Sequence, residues 1–546
     1  MEKTHAEEHI GNVPEPNSDD QVITPDPEYP STLRLTLIIL ALFLAVFLTA
    51  LDQTIIGTAI PKMTDQFHSV DDVGWYGSAY YLTSTALQPA YGRIYMLFNV
   101  KWAFLVAVFI FELGSLICAV APTSATFIGG RAVAGTGVGG VFSGTLVILS
   151  LTVPLERRPA IFGLFGLVWG LASVVGPLLG GAFTDGPSWR WCFYINLPIG
   201  AVTVVVVILI LHLPKTTPTG KSVLQRIANL DVIGVTLLLP ALVCLLLALQ
   251  WGGITYTWGN SKIIGLLVGF GSILVAFVVS QIWLNEKATL PPRIMKMRTT
   301  MALACYSFTF GGAYNLLMYY LPIYFQSVRN FSAVRSGIDI LPFLIAQAIS
   351  SIGVGAGVGL AGYYTPFLII STALLCVGTG LLSLYSIDIT TGKWIGYQIL
   401  TGVGAGAGFQ IPMTAIQTIL TQVDIPIGSA AVVFFQSLGG AVFISVGESI
   451  FQNTLINKIA QDAPEVSPKE IMDAGATSFR SALAEAGQMD ALDAVLNAYM
   501  NGLKDVFRVT IALTLFSFIA SVLLEWRSVK HGPDKASTPA EGDNAA

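Results

Sequence analysis

Asp52, Glu112 and Arg131 stand inside long apolar runs, and Glu448 in the outer part of another. Charge in such a run is costly and is kept for pairing, ion binding or proton traffic. Asp52 lies about 17 residues into a run that begins near Leu35, roughly 25 Å along a helix at about 1.5 Å per residue. Arg131 lies a few residues into a run of opposite direction, so the two reach similar depth near one membrane face. There a carboxylate and a guanidinium pair, and each lowers the cost of the other. Two chemistries fit. One is a static ion pair that fixes two helices; the other is a proton site whose hold on its proton depends on the nearness of Arg131. Glu112, between Phe111 and Leu113, has no partner legible in sequence: it is either a protonated, hydrogen-bonded acid or a cavity-facing one.

The elements that must position these groups are membrane helices. The 546 residues are 53% hydrophobic and 11% charged, with mean hydropathy +0.69; soluble domains carry about 25% charged residues. About fourteen apolar runs are long enough to cross a bilayer, at about 20 residues each. They are 35–59, 74–91, 102–121, 125–150, 161–183, 193–211, 232–249, 263–283, 301–324, 338–360, 367–385, 394–419, 430–450 and 506–524. The expected fold is therefore an all-α membrane protein. Lysine and arginine crowd one set of short loops, from Arg93 and Lys101 through Arg157 and Arg158 to Arg293 and Arg298. That set is expected to be cytoplasmic, with both termini on the same side.

The five cysteines are scattered and no histidine sits in mid-span, so no metal site, disulfide framework or cofactor is expected. No base–nucleophile cluster suggests an enzyme, and no basic patch suggests nucleic acid. Gly220-Lys221-Ser222 has Lys215 where a phosphate loop needs glycine. Residues 1–33, rich in Pro, Glu and Asp, are expected to be a disordered tail, and residues 527–546 a cytoplasmic tail.

The stretch Gly163–Phe183 is long enough to span yet dense in glycine. Gly166, Gly170, Ser173, Pro177 and Gly180 fall on one helical stripe, with Gly176 and Gly181 beside it. Such a stripe admits another helix to backbone contact, and Pro177 is expected to bend it. The expected contact is between the two halves of the molecule. Uncharged polar and aromatic residues that offer a cavity lining are Tyr80, Trp169, Tyr314, Asn315, Gln347, Gln410 and Gln436. Asn330-Phe331-Ser332 is a glycosylation sequon in a loop expected outside the cell. In the long loop 453–505, Ser467-Pro468-Lys469-Glu470 has the pattern of a capping box. Leu492, Val495, Leu496, Tyr499 and Leu503 recur at helical spacing, so short amphipathic helices are expected there.

Several of these segments, taken together, resemble the fourteen-helix drug/proton antiporter branch of the major facilitator superfamily, with a flavour of fungal toxin-efflux carriers. They are Leu51-Asp52-Gln53-Thr54, the arginine segment Gly130-Arg131-Ala132, the loop Pro154-Leu155-Glu156-Arg157-Arg158, Gly176-Pro177 with Gly180 and Gly181, and Trp189-Arg190-Trp191 through Asn196-Leu197-Pro198. The resemblance implies two six-helix bundles, 34–212 and 301–526, with two inserted helices and linkers in 213–300. It implies a proton-coupled exporter of small, mostly apolar molecules, with coupling by Asp52 and Arg131; Glu112, an acid in mid-span, is the next candidate for proton coupling. Gly170, Gly176, Pro177, Gly180 and Gly181 would form its antiporter motif, and Gly92, Arg93 and Lys101 its first cytoplasmic loop motif. That loop departs from the family, with Met96 where an acid is usual. A proton-coupled importer of siderophore-like molecules and a non-transporting sensor are the rival readings. The partners expected are a small-molecule substrate, protons and the lipid bilayer, with the protein a monomer in the plasma membrane or, alternatively, the vacuolar membrane.

Overall fold

The computed structural model describes residues 30–67, 72–213, 222–253 and 256–530. Most of both expected tails, and the Gly220-Lys221 pair, lie outside them. In chain order the helices are α1 (Thr32–Phe67), α2 (Val73–Leu97), α3 (Val100–Val120), α4 (Ser124–Thr152), α5 (Arg158–Asp185), α6 (Trp191–Tyr194) and α7 (Asn196–Ile210). They continue with α8 (Val223–Ile227), α9 (Val232–Trp251), α10 (Ser261–Leu284), α11 (Pro292–Met295), α12 (Arg298–Ile323), α13 (Ala333–Asp339) and α14 (Leu341–Ala361). Last come α15 (Thr365–Leu382), α16 (Thr391–Ala405), α17 (Gln410–Ile419), α18 (Ile425–Asp462), α19 (Pro468–Glu485) and α20 (Leu492–Val522).

Among the described residues, 12 stretches are long and apolar enough to cross a membrane, against about fourteen expected. The runs 74–91 and 301–324 do form helices, α2 and α12, but are not among those stretches. The reason is where they sit. α2 packs against α4, α9 and α18, and α12 against α18 and α20. Both bury Tyr and polar side chains on protein, such as Tyr76, Gln88, Tyr306 and Ser307, so little of their surface must be lipid-like.

α1 to α5 and α7 pack on one another, as do α12, α14 to α18 and α20. α9 and α10 pair with each other, and α9 leans on α2 and α18. Asp231 fastens this pair: it caps α9 through the Gly234 N–H at 2.6 Å and accepts from Gln281 at 2.7 Å and Thr289 Oγ1 at 2.8 Å.

The long loop differs from expectation in two ways. α19 starts at Pro468 after Ser467, but the Ser467 side chain makes no cap bond. The periodic residues from Leu492 are not a separate helix; they are the first turns of α20, which runs on into the last span. α19 is anchored by Arg480, which donates to the carbonyls of Ser327 at 2.9 Å and Val328 at 3.2 Å, and to Asn330 Oδ1 at 3.2 Å. Those acceptors lie at the π-helical turn Tyr324–Val328 that ends α12 and just beyond it. Burial holds the Arg480 guanidinium below its ordinary range. Asn330 itself is exposed, with φ 56°.

Candidate functional site

Asp52 and Arg131 meet. Arg131 Nη1 donates to Asp52 Oδ2 at 2.5 Å, with the side chains 1% and 0% exposed. Such burial makes both groups depend on full hydrogen bonding. Arg131 Nε donates to the Tyr76 carbonyl at 2.9 Å, and its guanidinium lies 4.2 Å from the centre of the Tyr80 ring. The Tyr80 hydroxyl donates to the Thr49 carbonyl at 3.2 Å. Tyr80, expected to line a cavity, is therefore a fully buried wall of the ion pair. On the other side Asn196 Nδ2 donates to Asp52 Oδ1 at 3.0 Å and to Ser115 Oγ at 3.1 Å. Helices α1, α2, α3, α4 and α7 thus all supply the site. Glycines make that convergence possible: a side chain at Gly135 would strike Tyr80 and Thr83, and one at Gly137 would strike Phe111.

The sequence does not single out Asn196 and Ser115 as part of the site. Neutral polar residues in a span carry no mark by type; the position of Asn196, at the first turn of α7, was the available signal. Glu112 lies apart from the pair. Its carboxyl sits between α3 and α7 against Gly200, and both its oxygens are buried with no hydrogen-bond partner. It is neither hydrogen-bonded nor directed at the pair.

The glycine stripe of α5 divides between two neighbours. Gly176 and Gly180 press on Thr54, Ile55 and Thr58 of α1, and Thr54 Oγ1 donates to the Ala172 carbonyl at 2.9 Å. That contact lies within the first bundle, whereas Gly166 of the same stripe lies against Ser351 of α14 in the second, the contact between halves that the sequence suggested; a small-residue stripe specifies closeness without specifying the neighbour. α5 runs unbroken through Pro177. A carbon added to Gly170 or Gly181 would meet nothing within 4 Å. A close contact between bundles, besides that of α2 on α18, lies at the start of α5. There a carbon on Gly163 would come within 2.9 Å of Gln410 Oε1 and of the Ser351 carbonyl on α14, and one on Gly355 would meet Pro159 and Ala160.

The same end of the molecule is bolted by Arg158. Its Nε and Nη2 donate to the Val153 and Ser150 carbonyls at 2.9 and 2.5 Å, and its Nη1 to Gln417 Oε1 at 3.1 Å. Gln422 also reaches the Ser150 carbonyl, at 3.1 Å. Arg293 grips Asp424 with Nη2–Oδ1 at 3.0 Å and Nη1–Oδ2 at 3.1 Å, and this bonding holds its guanidinium above the ordinary range. Gly92 abuts Pro426, Ile427 and Ala430 of α18. Arg93, buried, contacts Met96 Sδ at 3.6 Å, and its Nε has no partner. Lys101 donates to the Ile208 and Leu211 carbonyls at 2.7 and 2.9 Å, closing the end of α7.

In the second bundle the expected lining residues gather around α12, α14 and a broken helix. α16 ends at Ala405 and α17 begins at Gln410. Ser350 and Ser371 hydroxyls take up the Val403 and Gly404 carbonyls, each at 2.8 Å. Phe409, at the break, stands edge-on to Tyr314 with centroids 4.7 Å apart. Tyr314 donates to Gln347 Oε1 at 3.2 Å, and Gln410 Nε2 to the Ser351 carbonyl at 2.6 Å. Asn315 donates to the Gly311 carbonyl at 2.9 Å, beside Gly440. Trp169 and Gln436 are half-buried. A separate cavity of about 450 Å³ lies far along α18 from these groups, lined by Leu249, Trp258, Val446, Ile450 and Asn453.

Twelve helical stretches long and apolar enough to cross a membrane among the described residues, with a buried ion pair inside the first group of helices, define a multi-pass integral membrane protein. The chain belongs to the Major Facilitator Superfamily, whose family model matches residues 42–444. It is 49% identical to the efflux pump roqT of Penicillium rubens over 90% of both chains. It is 46% identical to the MFS-type transporter astH of Aspergillus oryzae, over 92% of this chain and 88% of that one. With the efflux pump aflT of Aspergillus parasiticus the identity is 45%, over 92% and 97%. Among solved structures, the human organic anion transporter MFSD10 shares the fold, with TM-score 0.59, 14% identity, and coverage of 89% of this chain and 99% of that one.

Proposed function

We propose that this protein is a proton-coupled exporter of small, mostly apolar organic molecules such as toxins or secondary metabolites, working by antiport. The observation that carries the coupling is the Asp52–Arg131 pair, buried and within 2.5 Å. With Arg131 close, the carboxylate is stable and its proton leaves; with Arg131 drawn away into a dry surrounding, the neutral acid is favoured and a proton binds. Both groups lie in the first bundle, on α1 and α4, so a shift of α1 against α4 as the bundles rock about a central site would change that separation. Direction rests on the relatives, several of which are named efflux pumps. The bundles are taken as 34–212 and 301–526, with α9 and α10 inserted and fourteen crossings in all once α2 and α12 are counted. The bolted end at Arg158 is taken as cytoplasmic, with both termini on that side, in the plasma membrane of a monomeric protein. Trp169, Tyr314, Asn315, Gln347, Gln410 and Gln436 are the proposed substrate surface, and Asn330 a short external sequon. The test is pH-gradient-driven flux in proteoliposomes. Asp52→Asn is expected to stay folded and bind substrate while gradient-driven accumulation falls more than about tenfold, equivalent to about 1.4 kcal/mol of lost driving advantage. Accumulation at the wild-type level would end the coupling role of Asp52.

A further inference from the structure

Glu112 has no place in the ion pair, yet the fold makes room for it. Among the described residues its carboxyl is buried on both oxygens without a hydrogen-bond partner. The room comes from α7: a carbon added to Gly200 would overlap Glu112 Oε1. One turn along each helix the facing residues are Ser115 and Asn196, hydrogen-bonded at 3.1 Å, and Asn196 in turn holds Asp52 at 3.0 Å. Glu112 and Ser115 share a face of α3, while Gly200 and Asn196 share a face of α7. The seam between α3 and α7 is thus two adjoining rungs, one tied to Asp52 and one holding a second acid. Asn196 Oδ1, beside them, is also buried without a partner.

Charge decides what form that acid takes. α7 and α6 bring no charged residue to the seam, α2 brings the Tyr80 ring, α1 brings Asp52 and α4 brings Arg131. Cys118 and Cys192 are the other titratable groups nearby, both buried. Among the described residues Arg131 is already bonded to Asp52, and Arg190 donates to the Ala119 carbonyl at 2.8 Å near the end of α3. A second carboxylate in that surrounding would have neither counter-charge nor donor, the most costly form a buried acid can take. The neutral acid avoids that cost.

We propose that Glu112 is a second proton-binding site of the transporter, occupied by a proton while Asp52 is paired with Arg131. The inference rests on the transporter reading above and adds a proton-holding group that the Asp52–Arg131 switch does not contain. No proton passes through the Asn196 amide; the two acids communicate by charge and by the shared hydrogen bonds of Ser115 and Asn196.

Infrared spectroscopy of the purified protein in lipid, through a pH series, tests it. Wild type is expected to keep a protonated-carboxyl carbonyl band at neutral pH, and Glu112→Gln to lose it. Asp52→Asn is expected to retain it. If wild type shows no such band, or if Glu112→Gln leaves it whole, the proposal is overturned, while the Asp52 role stands or falls separately on its own flux measurement. Should Glu112→Gln fold poorly, Glu112→Leu fills the same seat without a titrating group, and the wild-type titration decides by itself. In proteoliposomes Glu112→Gln is expected to lower gradient-driven export several-fold and displace its pH profile, with downhill exchange retained. A role in packing alone would lower both fluxes equally and leave the profile in place.

Discussion

α4 and its echo in the second bundle begin from similar sequences and end as different devices. GRAVAGTGVGG lies in an unbroken 29-residue helix, whereas GVGAGAGFQIP falls across the gap between α16 and α17. Both use glycine to bring backbones together: Gly135 and Gly137 receive Tyr80 and Phe111, while Gly402 and Gly404 receive Phe343 and Leu375. The first helix then carries a guanidinium fixed by a carboxylate, a backbone carbonyl and a tyrosine ring. The second carries no charge at the matching turns; it carries Phe409, Gln410 and freed carbonyls taken up by serine hydroxyls. Close glycine packing is common ground, and what is mounted on it separates a charge-handling bundle from one with rings and amides. A helix that must hold an ion pair at fixed distance benefits from continuity. One that must present backbone and rings to varied molecules can be broken where hydroxyls replace its lost bonds.

The contrast can be broken at four places. Arg131→Ala is expected to do the most damage, costing about 3–5 kcal/mol because it leaves Asp52 buried without its counter-charge. Thermal unfolding and export yield measure it, and wild-type stability would remove the pair from the account. Gly176→Leu should follow, at about 1–3 kcal/mol from overpacking against Thr54, with loss of export. Its control is Gly170→Leu, whose added carbon meets nothing within 4 Å and which is expected to export nearly normally. Equal behaviour of the two would mean that the α1–α5 contact is unimportant. In the second bundle Gly408→Ala would push a carbon into the Phe310 ring. It is expected to raise KM several-fold with a smaller change in Tm; an unchanged KM would detach the aromatic cluster from substrate. The mildest change is Asn330→Cys, at an exposed position. Tm should hold, and a membrane-impermeant maleimide should label it in intact cells. Labelling only after permeabilisation would invert the orientation.

How much of this was legible in the sequence follows from what kind of signal each feature leaves. Apolar runs announce spans because lipid demands about 20 such residues, so most helices fall where expected. The same rule undercounts α2 and α12, whose neighbours are protein. Asp52 and Arg131 could be paired in advance because charge in a span is rare and span direction fixes depth. Asn196 and Ser115, which complete the pair's surroundings, are ordinary residue types and needed coordinates. The α5 stripe showed that something comes close, yet Thr54 on α1 had no property that named it the partner. Ser467 and Glu470 matched a capping pattern, and the helix does start there, but pattern alone did not ensure the side-chain bond. Arg158 was one basic loop residue among several until its three bonds placed it on the seam.

The Arg480 anchor has a mechanical consequence. α19 is tied to the carbonyls at the end of α12 and packs on α18, elements of a single bundle. The extramembrane segment is therefore a passenger on that bundle, carried through any rocking without a bond of this anchor having to break. A fluorophore at exposed Glu485 would then report the attitude of its carrier against a reference dye on the opposite rim, following each turnover from outside the translocation path.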